Sequence, residues 1–356
     1  MIALSSLDAQ TVSQYAGNDK TLKGRWKWAN VQALLTTDGE GIWIGYSIKR
    51  LTDEDSYVVS GNISYGTTES RGSLYALIGG PQSGPVLESK NDWSGHRPRI
   101  FKRMKDVALL FLVSHPSSGD PVVQDVKFCT MDLSVSLKNK PLLWLGASRE
   151  DESVRHLKEM FVKATPVNVK KDLVEAIGLH QSNSDAYSFL SDILKGKESD
   201  DVRAKAALWM GELGNPEGLK TLKEIAEKDR SVKVREEAVF AISRLDTDES
   251  TDVLISLARK ADDPKVRGKA AFWLGQKASE KAVATLEGII ADDEETEVQR
   301  QALFALSEIK NGNAVERLIG IARNHPNARI RKQAIQILSQ SEDPKALETL
   351  IEIVRK

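Results

Sequence analysis

Side chains able to do covalent or metal chemistry are few and scattered in this chain. The five histidines, His96, His115, His156, His180 and His325, show no His-Glu-x-x-His pairing or other ligand spacing, so no protein metal centre is expected. Cys129 is the single cysteine; it excludes an intramolecular disulfide framework and a multi-cysteine zinc site, and it reads as a buried free thiol. No Gly-x-Ser-x-Gly elbow occurs, and Gly39-Glu40-Gly41 lacks the third glycine and the following helix of a dinucleotide loop. Asp262-Asp263 and the acidic run Asp292 to Glu295 lack the spacing of a calcium-binding EF-hand and read as solvated turns. No catalytic, cofactor-binding or metal-ligating residue is assigned.

One segment has binding chemistry. Gly79, Gly80, Pro81, Gly84, Pro85, Gly95 and Pro98 mark a long loop carrying Trp93 and His96 and running into Arg97, Arg99, Lys102, Arg103 and Lys105, the densest basic cluster in the chain. Such a loop could hold an anion or an acidic partner, with Trp93 as a stacking surface. The same cations at a strand edge would deter edge-to-edge pairing. Both readings stand at this point.

Charge narrows the partners. Fifty Lys plus Arg against 51 Asp plus Glu give a net charge of -1, without the basic excess expected of a nucleic-acid binder. No run of 18 apolar residues is present, so no membrane insertion is expected. Residues Met1 to Gln10 have no basic start and no apolar stretch of signal-peptide length. The chain as written reads as cytoplasmic, or as periplasmic or extracellular if a leader has been removed. Oligomeric state is not legible.

The elements that must position any site fall into two textures, and the expected class is α+β multidomain. Residues 1–21 read as a polar arm, loosely held or forming one short helix. Residues 22–136 read as a small antiparallel β domain, a sandwich or curved sheet, with strands at Trp26–Val31, Ile42–Ile48, Tyr57–Val59, Ser73–Ile78, Val107–Val113 and Val122–Phe128. The Val107 run is apolar on both faces, as a central strand requires. Asp38-Gly39 and Glu40-Gly41 supply turn residues for a hairpin between the first two strands.

Residues 137–356 carry a repeat. Val202, Arg203, Ala206 and Met210 return as Val234, Arg235, Ala238 and Ile242, as Val266, Arg267, Ala270 and Leu274, as Val298, Gln299, Ala302 and Leu306, and as Ile330, Arg331, Ala334 and Leu338, a period of 32 residues. Two degenerate copies extend it backwards to Val169 and Leu137, which places Trp144-Leu145-Gly146 in register with Trp209-Met210-Gly211 and Trp273-Leu274-Gly275. The result is an all-α solenoid of about seven helix pairs, starting near 137, 169, 202, 234, 266, 298 and 330. Each first helix carries an apolar stripe, and each second helix carries two core positions such as Leu222 and Ile225.

Three further ladders accompany the stripe. Nine residues into each repeat stand Gly146, Gly178, Gly211, Ser243, Gly275, Ser307 and Ser339, all small enough for close helix approach. Seven residues in, Trp144, Ala176, Trp209, Ala241, Trp273, Ala305 and Ile337 alternate large with small over most of the array, which reads as core packing, with an exposed aromatic stripe as the alternative. One residue in stand Lys138, Lys170, Arg203, Arg235, Arg267, Gln299 and Arg331, read as donors to carboxylates and carbonyls of neighbouring turns or as an anion site.

The segments from Val202 to Leu213 and from Val266 to Gly275 resemble the short HEAT-like repeat first described in phycobilisome lyases. That resemblance implies a right-handed superhelix whose second helices line a concave face, and a role as a binding scaffold. Trp43-Ile44-Gly45-Tyr46, with Phe128-Cys129-Thr130-Met131-Asp132 leading to Trp144, is similar to bacterial HEAT-repeat proteins of unassigned function, many of them exported. The repeated His-Glu pairs of iron-binding HEAT hydroxylases are absent here, and the second helices mix signs where a HEAT-like DNA glycosylase needs a basic surface. The functional expectation is a non-catalytic scaffold holding a protein or peptide on the concave face. The alternative is a small-molecule or cofactor-handling enzyme of lyase or chaperone type, with a site where the β domain meets the repeats, at Trp93, His96, Arg97 and Arg99.

Overall fold

The computed structural model describes residues 12–36, 41–53, 56–59, 62–65, 102–115, 120–131, 137–138, 140–181, 183–277, 279–309 and 314–355. The chain forms two compact units, Met1–Asp192 and Ile193–Lys356.

Among the described residues the first unit is built on a seven-stranded sheet: β1 (Val12–Gln14), β2 (Ile42–Asp53), β3 (Ser56–Val59), β4 (Asn62–Tyr65), β5 (Lys102–Ser114), β6 (Val122–Thr130) and β7 (Leu142–Ala147), in the order β1-β7-β2-β5-β6-β3-β4. Pairing is antiparallel except at β7, which lies parallel to β1 and β2. The doubly apolar β5 run takes the central place, paired along β2 from Ile42↔Val113 to Asp53↔Lys102. Alternation of side chains divides its burial between two faces. On one, Trp43, Ala108, Leu110, Cys129, Leu142 and Trp144 form a core, and Trp43 Nε1 donates to the Leu137 carbonyl at 3.0 Å. On the other, Tyr46 stacks on Phe111, which Trp26 meets edge-on from a helix.

That helix, α1 (Leu22–Thr36), replaces the first expected strand. The Trp26/Trp28 alternation suggested a strand, but Leu22, Arg25, Ala29 and Ala33 are buried at helical spacing. Thr21 starts the helix by accepting from the Gly24 amide at 3.1 Å. The expected hairpin turn therefore falls between a helix and a strand; residues 37–40 lie outside the described residues, and Gly41 enters β2 with φ +86°. The expected arm contains β1, which continues the sheet past β7. The expected strand Ser73–Ile78 lies outside the described residues.

Trp144-Leu145-Gly146 is likewise not helical. It is the middle of β7, a run after Pro141 from which Leu142 to Leu145 are buried. Here glycine serves the bulged strand: Gly146 has φ +81°, and Arg25 Nη1 donates to the Leu145 and Ala147 carbonyls on either side, at 2.6 and 2.8 Å. Among the described residues only the second helix of the first expected repeat is helical. It is α2 (Glu150–Lys163), with an acidic first turn that suits its dipole and with Val154, Leu157 and Met160 buried as expected. The pair α3 (Val167–Gly178) and α4 (Ser184–Lys195) follows.

The second unit holds five helix pairs: α5 (Asp200–Leu213) with α6 (Pro216–Lys228), α7 (Val232–Arg244) with α8 (Asp248–Lys260), α9 (Pro264–Lys277) with α10 (Glu280–Asp292), α11 (Thr296–Ser307) with α12 (Ala314–Asn324), and α13 (Ala328–Leu338) with α14 (Pro344–Arg355). Local signals set their ends. Ser199, Asn215 and Ser279 cap helices with side-chain oxygens, Thr247 and Ser250 form a capping box, and Gly214 turns the chain at φ +64°. The apolar stripes at Val202, Val234, Val266, Val298 and Ile330 are buried throughout.

Close approach of successive first helices depends on the small-residue ladder. A Cβ on Gly211 would sit 2.6 Å from the Ala241 carbonyl oxygen, and one on Gly275 would sit 2.7 Å from that of Ala305. Gly320, in α12, has open space around it. Gly211→Ala is therefore expected to lower the unfolding midpoint, because overpacking costs about 1–3 kcal/mol. Gly320→Ala is expected to raise it, by up to about 1 kcal/mol of helix propensity. Urea unfolding of the two variants checks the contrast, and shifts of the same sign would show that the Gly211 contact does not limit packing.

Candidate binding surface

The basic ladder, which could have bound anions, is occupied internally. Arg203 is 2% exposed and grips Asp229 with two bonds, at 2.6 and 3.0 Å, while also reaching Asp200 at 2.9 Å. Arg235 bonds the Asp229 carbonyl and the Asp263 carboxylate. Arg267 clasps Asp293 at 2.8 and 3.0 Å and takes the carbonyls of Ala261 and Asp262. Gln299 donates to the Asp293 carbonyl, and Arg331 donates to those of His325 and Pro326. Asp263 and Asp293, read as solvated acids, are partners in this ladder. Lys138 lies outside any helix at φ +52°, and the Lys170 ammonium sits 4.9 Å over the Phe161 ring.

Second helices, the expected partner face, spend much of their charge on one another. Lys281 pairs with Asp252, Arg317 with Glu287, Lys345 with Glu316 and Arg323 with Glu352, each bridging successive second helices.

The open aromatic surface lies on the first helices. Six residues into successive repeats stand Leu208, Phe240, Phe272 and Phe304, none fully buried, and Phe304 is 44% exposed. The Phe272 and Phe304 rings are parallel within 5° at 6.4 Å. Trp273 joins the strip, 4.8 Å from Phe240 and 5.0 Å from Phe272, with the Lys269 ammonium 5.9 Å above it. Trp209, one alternation earlier, is buried as core packing requires. Beside Phe304 a groove of about 1020 Å³ opens between α11 and α13, lined among others by Glu297, Arg300, Lys332, Gln333 and Gln336. Arg300 stands on its wall, bonded to Glu297 and Gln333, both at 2.8 Å.

This strip was visible in the sequence as a fourth 32-residue ladder. The tryptophans one position later mask it, because they are larger and recur in the same segments.

Of the basic loop, Trp93, His96, Arg97 and Arg99 lie outside the described residues. Lys102 and Arg103 open β5 opposite Asp53 and Thr52 of β2, and Arg103 is exposed. Strand β6 reaches back only to Thr130, opposite Val107, so among the described residues the start of β5 is paired on one side alone. Among the described residues no cluster of His, Cys, Asp and Glu could hold a metal ion, and no helix is long and apolar enough to cross a membrane.

Tandem helix pairs with one stripe, one small-residue ladder and one ion-pair ladder per 32 residues define a helical-repeat protein. The model of the HEAT repeats matches at residues 154–243, 187–274, 219–307 and 284–356, more than half of the chain, and the chain belongs to that family. No curated protein sequence is similar enough to count as a relative. Among solved structures, the chain is similar to the complex of CpcE and CpcF of phycocyanin lyase from Nostoc sp. PCC7120, at 16% identity over 57% of this chain and 87% of that one, TM-score 0.33. Human deoxyhypusine hydroxylase in complex with glycerol is similar at 18% identity over 56% and 85%, TM-score 0.25. The S. pombe condensin Cnd3-Cnd2 subcomplex is similar at 19% over 55% and 35%, TM-score 0.26.

The Arg203–Asp229 pair gives a test of the ladder. Removing one member of a buried ion pair strands the other charge, at a cost of about 3–5 kcal/mol, whereas replacing both with apolar groups can be close to neutral. Arg203→Met and Asp229→Leu are each expected to destabilise strongly, and the double variant less than either. Denaturant unfolding of all three measures this, and additive losses would show that the two side chains do not act as a pair.

Proposed function

We propose that this protein is a non-catalytic interaction scaffold that holds a polypeptide segment along its first helices. The observation carrying this reading is the parallel Phe272–Phe304 pair, half-buried at Phe272 and exposed at Phe304, where it lines the groove between α11 and α13. Partly exposed aromatic side chains on rigid helices are the side chains that dominate protein interfaces, because they bury a large area at little entropic cost. The amides of Gln333 and Gln336 beside them supply both donors and acceptors, the complement of a polypeptide main chain. The second helices support the reading less well, since their charges are already paired between neighbours.

A photo-reactive residue placed at Gln301, on the strip, is expected to cross-link a partner in native lysate. The same probe at Lys223, on a second helix, is expected to give none. Phe272→Ser with Phe304→Ser is expected to weaken capture of that partner by about tenfold or more, corresponding to about 1.4 kcal/mol. Cross-linking from Lys223 that survives the serine substitutions would reject the first-helix surface in favour of the second helices.

A further inference from the structure

Within the first unit, three neutral polar side chains form a closed chain that neither the repeat nor the scaffold role uses. Tyr46 Oη lies 2.9 Å from Ser153 Oγ, and Ser153 Oγ lies 2.8 Å from His180 Nε2. His180 Nδ1 lies 3.0 Å from the Ala176 carbonyl and 3.2 Å from that of Ile177. A carbonyl only accepts, so Nδ1 carries the proton and Nε2 of the neutral ring is an acceptor. Ser153 must therefore donate to His180, and Tyr46 must donate to Ser153. The direction of every bond follows from that one tautomer.

A serine and a histidine at this distance would suit nucleophilic catalysis if a substrate could reach them. All three side chains have no exposure, so no substrate does. The chain instead ties together three elements: Tyr46 belongs to β2, Ser153 to α2, and His180 follows α3.

We propose that this chain is an acid-operated latch, which holds α2 and the end of α3 to the sheet while His180 is neutral and lets them open when it takes a proton. A second proton on the ring turns Nε2 into a donor facing the Ser153 hydroxyl. Ser153 must then accept from Nε2, and its own proton, which pointed at the ring, is left without that acceptor. Burial holds His180 down at about 4, against the carbonyl bonds at Nδ1 that favour the charged ring, and Arg50 adds repulsion.

Charged and titratable groups also stand on the elements packed around the chain. Arg50 on β2 donates to the Gly178 carbonyl at 3.2 Å. Glu150, in the first turn of α2, feels Arg50 and has its carboxyl pushed up by burial. Glu175 on α3 is buried, and Lys127 on β6 lies over Trp43, 5.3 Å from its ring. His156 on α2, edge-on to Trp26, is also held down to about 4 by burial.

The sign follows. A histidine whose proton affinity is depressed in the closed state takes up a proton on opening, so closure is favoured above the ordinary value near 6.5 and is lost as pH falls from there toward 4. For His180 alone, opening is expected to rise by about 20-fold between pH 7 and pH 5.

Hydrogen exchange of the full chain at pH 7 and pH 5, corrected for intrinsic rates, tests this in a background of His115→Phe with His156→Phe, which removes the other two described histidines of this unit that burial holds down. Peptides from β2, α2 and α3 are expected to lose protection at pH 5, while those from α7 to α11 keep theirs. His180→Gln is expected to open these elements at pH 7 and to flatten the pH response. Ser153→Ala, which keeps the ring but removes its donor, is expected to do the same more mildly. An undiminished pH response in both variants, or equal loss of protection across α7 to α11, would overturn the latch.

Discussion

The structure of the second unit depends on a guanidinium that is out of water. Arg203, and after it Arg235 and Arg267, sit at the start of a first helix, where each is committed in two directions. Its carboxylate partner closes the same repeat some 26 to 28 residues later, and its carbonyl partners, where present, belong to the turn of the repeat before. A buried charge tolerates no loose geometry, because an unpaired one is penalised far more than a good pair is rewarded. The apolar stripes are non-directional and would permit sliding of one helix pair over the next. The fork of the arginine fixes the register.

The ladder also shows its rule where it changes. The repeat that carries Gln299 in place of arginine carries His325 where the repeats of Arg203 and Arg267 carry Asp229 and Asp293; the repeat of Arg235 takes its carboxylate from Asp263, two positions further on. A neutral amide needs no carboxylate, and the histidine turns to the Ile290 carbonyl at 2.7 Å. Absence of the arginine and of its carboxylate from the same repeat is what an electrostatic coupling between them predicts.

Legibility followed periodicity. Helix pairs from Val169 onward could be read because five or more registers repeat, so that a single ambiguous residue is outvoted by its equivalents. The central place of β5 was legible from one run, since only a strand covered on both faces is apolar at every position. Single-copy elements gave no such redundancy. Trp26 and Trp28 alternate like a strand because two aromatic residues face different neighbours of one helix, Phe111 and Tyr15. Trp144-Leu145-Gly146 copies a helical motif letter for letter, yet its glycine serves a positive φ and not a close helix approach. The aromatic strip was encoded as plainly as the stripe, but its meaning rests on exposure, which periodicity does not report. The Tyr46–Ser153–His180 chain joins residues up to 134 positions apart and has no sequence signature at all.

The same-repeat origin of the Arg–Asp clasp sets the unit of exchange for this fold. A segment cut at the 32-residue boundary carries both halves of its own buried lock, and what it shares with its neighbours is backbone carbonyls and the more exposed ion pairs between successive second helices. Whole repeats are therefore portable: one can be duplicated, deleted or moved along the array without separating a buried arginine from its aspartate. A crossover inside a repeat separates arginine from aspartate and leaves each to a stranger. Growth and shrinkage of such an array by recombination has a preferred reading frame, and that frame is electrostatic.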